Sequence, residues 1–160
     1  MLAAMCAVLG YLAIDMNVIK ITFESVPIIM AALMFGPLDG IAVGGIGTLL
    51  YQVIRYGITV TTPLWILPYV LCGLIIGLFA KKHDFNLTQR QTLIIVVLTE
   101  LMITVLNTGT MYVDAKIFAY WFPGFISAAL AIRLIVCVVK AVAYAYLLPP
   151  LIKSISAQRT

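Results

Sequence analysis

The sequence predicts an all-α integral membrane protein: a bundle of six transmembrane helices with both termini in the cytoplasm. Of its 160 residues, 64% are hydrophobic and 10% are charged, and the mean hydropathy is +1.14, a composition far from that of soluble globular domains. The apolar segments show no period-two alternation, and backbone groups in lipid must be hydrogen-bonded within their own segment, so helices are favoured over strands. The length predicts one transmembrane domain over residues 1–160.

Six apolar segments define the predicted helices, and polar or glycine- and proline-containing connections separate them. In chain order they cover residues 1–16, 25–35, 41–56, 63–80, 91–112 and 124–152. The first has no basic region before it and no clear cleavage site after it, so we interpret it as a spanning helix rather than a signal peptide. It is short against the roughly 20 residues that cross the hydrocarbon. A start upstream of Met1, or a helix lying partly in the interface, would account for its length.

The basic residues of the connections predict the orientation. With six spans, the termini share one side of the membrane with the second and fourth connections, and that side holds Lys81, Lys82, Arg90, Lys153 and Arg159. The other three connections hold Lys20, Arg55 and Lys116. The excess of five over three places the termini in the cytoplasm under the positive-inside rule.

Polar side chains inside the last two spans carry most of the functional information. Glu100 and Asn107 share a face of the fifth helix, as Arg133 and Lys140 do of the sixth. At about 1.5 Å rise per residue, Glu100 and Lys140 fall at equal depth in the inner half. Asn107 and Arg133 likewise match in the outer half. We interpret Glu100 and Lys140 as a structural charge pair between the two helices. Arg133 is a candidate binding group for a carboxylate, phosphate or amide, with a structural role as the alternative.

A polar loop, residues 57–63, precedes the fourth helix on the outer side. Trp65 and Tyr69 follow it four residues apart, so their rings share one face of the helix. They fit an aromatic belt at the membrane surface or a stacking surface beneath a loop that closes over a bound ring. Pro68, between them, frees a backbone carbonyl that needs another partner. A second outer cluster fits a belt or a pocket rim and consists of Phe118, Tyr120, Trp121, Phe122 and Phe125.

Residues that the sequence lacks exclude several classes of function. His83 is the only histidine and lies in a charged inner loop, so neither a Ser/His/Asp triad nor a histidine metal site can form. Cys6, Cys72 and Cys137 lie in apolar segments, as small hydrophobic residues do. The net charge of +4 is dispersed, which argues against binding of nucleic acid. No GxxxxGKS/T phosphate-binding loop is present. We therefore expect no catalytic site, metal or cofactor in this chain.

Two stretches carry a resemblance to a known family. ITFESVPIIMAALMFGPLDGIAVGGIGTLL, residues 21–50, combines a polar start, an apolar helix with an early proline, and an FGP turn. LWILPYVLCGLIIGLF, residues 64–79, follows a polar loop. Together with the alanine pair Ala3 and Ala7 in the first helix, they resemble the substrate-binding S component of an energy-coupling-factor (ECF) vitamin transporter. The resemblance covers nearly the whole chain and is strongest over residues 20–79.

The resemblance implies a function, partners and a binding site. An S component is a six-helix, vitamin-binding membrane subunit that works with a transmembrane coupling protein and two cytoplasmic ATPases, and it topples within the bilayer to deliver its ligand. In the family the alanine motif, here Ala3 and Ala7, packs on the coupling protein. The vitamin enters from outside into a pocket made by the outer halves of the later helices. Carried onto this sequence, that pocket holds Trp65, Tyr69, Asn107, Tyr112 and Arg133.

The resemblance leaves the substrate open. Folate-type members carry a Phe-Pro-Gly-Phe run before the fourth helix, whereas here that run is residues 122–125, before the sixth. LWILPY is most similar to cobalamin-type members, so cobalamin is the predicted vitamin, with folate, pantothenate or pyridoxine as alternatives.

Two other classes of function stay open beside the S component. A self-sufficient carrier would use Glu100 and Lys140 as a proton relay, although the two halves show no evident internal duplication. A structural membrane subunit would use the charge pair and the alanines for assembly alone and would bind no small molecule.

Overall fold

The computed structural model describes residues 1–16, 19–120 and 124–157. In these ranges the chain forms six helices and one short antiparallel hairpin, with the bounds α1 Leu2–Tyr11, β1 Ile14–Met16, β2 Ile19–Ile21, α2 Ser25–Phe35, α3 Pro37–Tyr56, α4 Thr62–Lys82, α5 Gln89–Ile117 and α6 Phe125–Ala157. Apart from the hairpin, the regular secondary structure of the described residues is helical, as predicted. Of the residues singled out in the sequence, Trp121, Phe122 and Arg159 lie outside the described ranges.

Four of the described helices are long and apolar enough to cross a membrane: α3, α4, α5 and the Leu130–Leu148 part of α6. α1 and α2 have 10 and 11 residues. A helix of that length rises about 15 Å, roughly half the thickness of the hydrocarbon layer. The chain is therefore a multi-pass membrane protein, whereas the six-span topology and the cytoplasmic termini stay predictions.

The first helix is shorter than predicted. It ends at Tyr11, where the amide of Leu12 still donates to the carbonyl of Val8 at 2.9 Å. β1 and β2 then pair antiparallel, with Asp15 opposite Lys20. The prediction of a helix to residue 16 was wrong because IDM and IKI have the alternating, β-branched pattern of short strands.

The other helix ends differ from the predictions by a few residues, except that α2 agrees at both ends. α3 begins at Pro37 rather than residue 41, since proline is well suited to the first position of a helix. α5 begins at Gln89, where the Thr88 amide donates to Oε1 of Gln91 at 2.9 Å in a capping box. Such end effects depend on capping contacts that hydrophobicity does not record.

Glycines allow α3 and α4 to pack backbone to backbone. A Cβ atom added at Gly73 of α4 would lie 2.3 Å from the backbone of Gly40 on α3, and one at Gly44 would lie 2.6 Å from the Tyr69 carbonyl. α1 approaches α3 in the same way, because a Cβ at Gly47 would lie 2.6 Å from the Cβ of Cys6. Small residues at helix crossings permit this close approach in membranes. Helices α1 to α4 therefore form one closely packed unit.

Helices α5 and α6 pack on each other and complete the bundle from the other side. α5 also contacts α4, and α6 contacts α2 and β2. Where α6 contacts α2, Tyr144 is fully buried, and Ser25 Oγ donates to its hydroxyl at 3.1 Å. The Phe23 ring lies 6.3 Å from the Tyr144 ring. This arrangement leaves a polar space between α5–α6 and the glycine-packed helices.

Candidate binding cavity

A polar cavity of about 100 Å³ lies inside the bundle, where α5 and α6 face the other helices. Its walls come from the β2–α2 connection and from α3 to α6, and the lining residues are Thr22, Glu24, Tyr51, Gln52, Trp65, Tyr69, Glu100, Ile103, Thr104, Asn107, Arg133, Val136, Cys137 and Lys140. Six residues singled out in the sequence thus meet in one place: Trp65, Tyr69, Glu100, Asn107, Arg133 and Lys140. Helical spacing had placed them on the faces that now line the cavity.

Glu100 and Lys140 meet at the depth that their positions predicted. Lys140 Nζ lies 3.2 Å from Oε2 of Glu100, and the side chains are 14% and 2% exposed. The ammonium group also lies 5.6 Å from the centre of the Tyr144 ring, close enough for a cation–π interaction. Burying either charge alone would be costly, so the contact neutralises both groups inside the bundle.

Arg133 differs from Lys140 in having no ion pair among the described residues. Its side chain is half-buried and lines the cavity, but it makes no hydrogen bond or ion pair with any residue that the structure describes. A guanidinium group has five donors in a planar fork that matches carboxylate and phosphate oxygens. The cavity therefore holds one cation that is already paired and one whose donors are available.

Glu24 is the charged residue of the cavity that the sequence interpretation missed. It is 2% exposed, and Thr22 Oγ1 donates to its Oε1 at 3.3 Å. The available signal was the polar run before α2, in which an acidic residue directly precedes an apolar helix. With Glu24 included, the lining has two carboxylates and two cations, so its formal charges balance.

Asn107 links α5 to α4. Its Nδ2 donates to the Tyr69 hydroxyl at 3.5 Å. In this orientation of the amide, Oδ1 of Asn107 is buried with no hydrogen-bond partner among the described residues.

Pro68 and Thr110 account for the freed carbonyl that the sequence predicted. Pro68 lies inside α4, so it cannot donate to the carbonyl of Leu64 one turn earlier. Thr110 Oγ1 of α5 donates to that carbonyl at 3.2 Å. The hydrogen-bond partner of the freed carbonyl thus lies on a neighbouring helix. The bond holds the N-terminal half of α4, which carries Trp65 and Tyr69, against α5.

Tyr112 does not line the cavity. It is 39% exposed, and its ring lies 5.2 Å from Nζ of Lys116. The face that begins with Asn107 continues one turn later with Met111, which is 8% exposed. Tyr112 is rotated about 100° from Met111 around the helix axis, so the structure does not bring it to this cavity, and its role in binding stays a prediction.

At the end of the bundle that the sequence predicts to face outward, Asp114 links the connection before α4 with the connection after α5. Thr61 Oγ1 donates to Oδ1 of Asp114 at 2.6 Å, and the Tyr120 hydroxyl donates to Oδ2 at 2.5 Å. Partial burial, followed by the hydrogen bond to Asp114 and its charge, raises the pKa of Tyr120 to about 12. The polar loop is therefore held in place by these three residues, which we call the Asp114 latch. Phe118, from the second aromatic cluster, is exposed beside it.

Ala3 and Ala7 lie beside the contact between α1 and α3. Both are half-buried, and they flank the stripe formed by Cys6 and Gly10, which is fully buried. The carbonyl of Ala3 would lie 3.0 Å from a Cβ at Gly47. The alanines thus serve packing within the chain, and the surface they leave exposed is what a partner helix could contact.

A charge-balanced cavity inside an apolar helical bundle marks this chain as a membrane protein with a candidate binding site for a small molecule, because ionisable groups at membrane depth indicate substrate sites. Residues 1–152 match the sequence model of the family described as ECF transporter, substrate-specific component, and the chain belongs to that family. It is accordingly a substrate-binding transporter subunit rather than an enzyme, and it works with ECF module components in substrate uptake. No match was found among curated proteins.

Proposed function

We propose that this subunit takes up a small vitamin that carries an anionic group, holds that group against Arg133, and delivers the vitamin through an ATP-driven ECF complex. The complex would contain a transmembrane coupling protein and two cytoplasmic ATPases, with ATP hydrolysis in the latter. The observation that carries the proposal is the Arg133 guanidinium, which lines the cavity without an ion pair among the described residues.

The charges of the cavity support an anion at Arg133. Lys140 is neutralised by Glu100 at 3.2 Å, and Thr22 Oγ1 donates to the Glu24 carboxylate at 3.3 Å. Arg133 is the cation of the lining that has no ion pair among the described residues, and a carboxylate or phosphate would supply that partner. Hydrogen bonds between ionised groups are about twice as strong as neutral ones and are often bidentate for arginine.

The size of the cavity narrows the choice among vitamins. Its volume of about 100 Å³ is below the range of about 300–1,000 Å³ typical of pockets for drug-sized ligands. Cobalamin, which the LWILPY stretch favoured, and folate would both require extensive opening. Pyridoxine is small but carries no anion. Pantothenate, a short chain with one carboxylate, agrees with both the size and the free guanidinium.

Thermal stabilisation of the detergent-purified chain by cobalamin, folate, pantothenate and pyridoxine tests the proposal, since a ligand that binds the folded state raises its stability by mass action. We expect pantothenate to raise the melting temperature and panthenol, its neutral alcohol, to have a much smaller effect. Arg133→Met should weaken pantothenate binding roughly tenfold or more, the value of a hydrogen bond to a charged group.

Arg55→Met is the matched control for that variant. Arg55 lies in the last turn of α3, where its guanidinium donates to the Tyr11 carbonyl at 3.0 Å, and it does not line the cavity. We expect its removal to leave the affinity unchanged. Stabilisation by another of the four vitamins would replace pantothenate while keeping the function, and equal binding by the Arg133→Met variant and the wild type would remove Arg133 from the site.

A further inference from the structure

We propose that the cavity contains an acceptor subsite, formed by Oδ1 of Asn107 and Oε1 of Glu100, that binds N–H or O–H groups of the ligand. The proposal rests on the proposed function, because it concerns the same cavity, and it assigns Glu100 a binding role beyond its contact with Lys140. The ligand is then a molecule that carries an anion for Arg133 and hydroxyl, amide or ammonium donors elsewhere.

The two oxygens are the evidence for this subsite. Glu100 is 1% exposed, and while its Oε2 contacts Lys140, its Oε1 is buried without a hydrogen-bond partner among the described residues. Oδ1 of Asn107 is likewise buried without a hydrogen-bond partner among the described residues. Buried acceptors without partners are rare in folded proteins because leaving them unpaired costs free energy. Both belong to side chains that line the cavity, so a molecule bound there can supply the missing donors.

The neighbouring hydroxyls do not satisfy these oxygens. Thr104 lies between Glu100 and Asn107 on the same face, but its Oγ1 donates to the carbonyl of Glu100 at 2.8 Å. Tyr69 accepts from Asn107 Nδ2, so its contact with Asn107 is to the amide nitrogen and not to Oδ1.

The positions of the acceptors set the shape of the ligand. Arg133 and Lys140 are seven residues apart on α6, which is about 10 Å along the axis, and Glu100 lies at the level of Lys140 because the two are in contact. A ligand whose anion contacts Arg133 would therefore place one donor near Asn107 at the same level and another about 10 Å deeper.

Binding by full-length variants in detergent tests this subsite, with the affinity measured for whichever of cobalamin, folate, pantothenate and pyridoxine stabilises the wild type. We expect Asn107→Leu to weaken that affinity tenfold or more, the effect of losing a hydrogen bond from a buried group. Thr108→Val is the matched control, because Thr108 is the adjacent residue, does not line the cavity, and already donates to the Thr104 carbonyl at 2.6 Å. It should bind within about twofold of the wild type, since its hydroxyl has no part in the subsite.

The Glu100 oxygen is tested in a background without the ion pair. The double variant Glu100→Met with Lys140→Met removes both charges and the acceptor, and we expect it to lose affinity tenfold or more. Glu100→Gln with Lys140→Met keeps an amide oxygen at the same position and should recover part of the loss. A purely structural pair would change the melting temperature of the two double variants without separating their affinities.

The outcomes separate the subsite from the function of the chain. Unchanged affinity in both Asn107→Leu and the double methionine variant would overturn the subsite while leaving the proposed function intact, and the two oxygens would then serve bound water alone. Failure of the wild type to bind any of the four vitamins would overturn the proposed function and the subsite together. Because the Asn107 and Glu100 variants are independent, a folding defect in one leaves the other to decide.

Discussion

The glycine-packed helices α1 to α4 and the pair α5–α6 are held together by different interactions. In the first group, backbones meet directly, as Gly40 meets Gly73 and Gly44 meets the carbonyl of Tyr69. In the second, the principal polar link is the ion pair between Glu100 and Lys140. The first group thus supplies a wall of fixed shape, and the second supplies most of the charged and amide groups that face the cavity. Shape and binding chemistry are divided between two parts of one small chain.

The threonines of α5 support this division. Thr99, Thr104 and Thr108 each donate to a carbonyl one turn earlier, at 2.5, 2.8 and 2.6 Å. Such bonds satisfy a hydroxyl in an apolar medium without help from a neighbouring helix. Because these threonines bond within α5, the side chains of this helix that remain to form hydrogen bonds in the cavity are Glu100 and Asn107.

Breaking the ion pair is the change expected to have the largest effect on the α5–α6 part. Lys140→Met leaves Glu100, which is 1% exposed, as a buried charge without its cation. The free energy of unfolding should fall by about 3–5 kcal/mol, as it does when one partner of a buried pair is removed. Thermal unfolding in detergent measures the loss. The Glu100→Met and Lys140→Met double variant should recover most of it, and equal losses in the single and double variants would show that packing rather than charge dominates.

A methyl group at the α3–α4 crossing should have the next largest effect. Gly73→Ala places a Cβ 2.3 Å from the backbone of Gly40, so the helices must separate, at a cost of about 1–3 kcal/mol for overpacking. Gly109→Ala on α5 is the matched control, because a Cβ there meets nothing within 4 Å. It should raise stability by roughly 0.5–1 kcal/mol through helix propensity. Melting temperatures that move in opposite directions would confirm the contrast between the two parts, and parallel shifts would contradict it.

The smallest effect on stability is expected at the Asp114 latch, which joins the connection before α4 to α5 and to the connection after it. The fold raises the pKa of Tyr120 to about 12, against about 10 in an unfolded chain. A raised pKa favours the neutral hydroxyl, so its contribution to stability is present below about pH 10 and is lost as the pH rises to about 12. Tyr120→Phe should therefore melt slightly below the wild type at pH 9, and the two should converge near pH 12. A constant difference across that range would show that the Tyr120 hydroxyl is not the group that titrates.

Hydrophobic periodicity and depth counting predicted the helices and the main pair of the cavity. The α2 bounds agree at both ends, and Glu100 meets Lys140 because two antiparallel helices of known rise bring equal depths together. These successes share a cause, since the regular geometry of a helix converts residue numbers into positions. The resemblance to S components, carried by residues 21–50 and 64–79, was confirmed by the family match.

What the sequence did not reveal depends on contacts between irregular segments. The hairpin of residues 14–21 interrupts an apolar run, and strand patterns of three residues are too short to compete with a helical one. Glu24 and Asp114 reach their partners from a connection and from the last turn of a helix, where no period applies. Tyr112 lies one position off the inward face of α5, which its neighbour Met111 continues.

The glycine contacts also determine how a mechanical displacement is passed from one helix to the next. Gly47 lies against Cys6 of α1, and Gly44, one turn earlier on the same helix, lies against the backbone of Tyr69, whose ring lines the cavity. Close-packed protein interiors have low compressibility and transmit strain, and the side chain at the contact between α1 and α3 is the small one of Cys6. We therefore expect a displacement of α1 to reach the cavity wall through α3. The first four helices form one stiff unit, with the exposed side of α1 at one end and the cavity wall at the other.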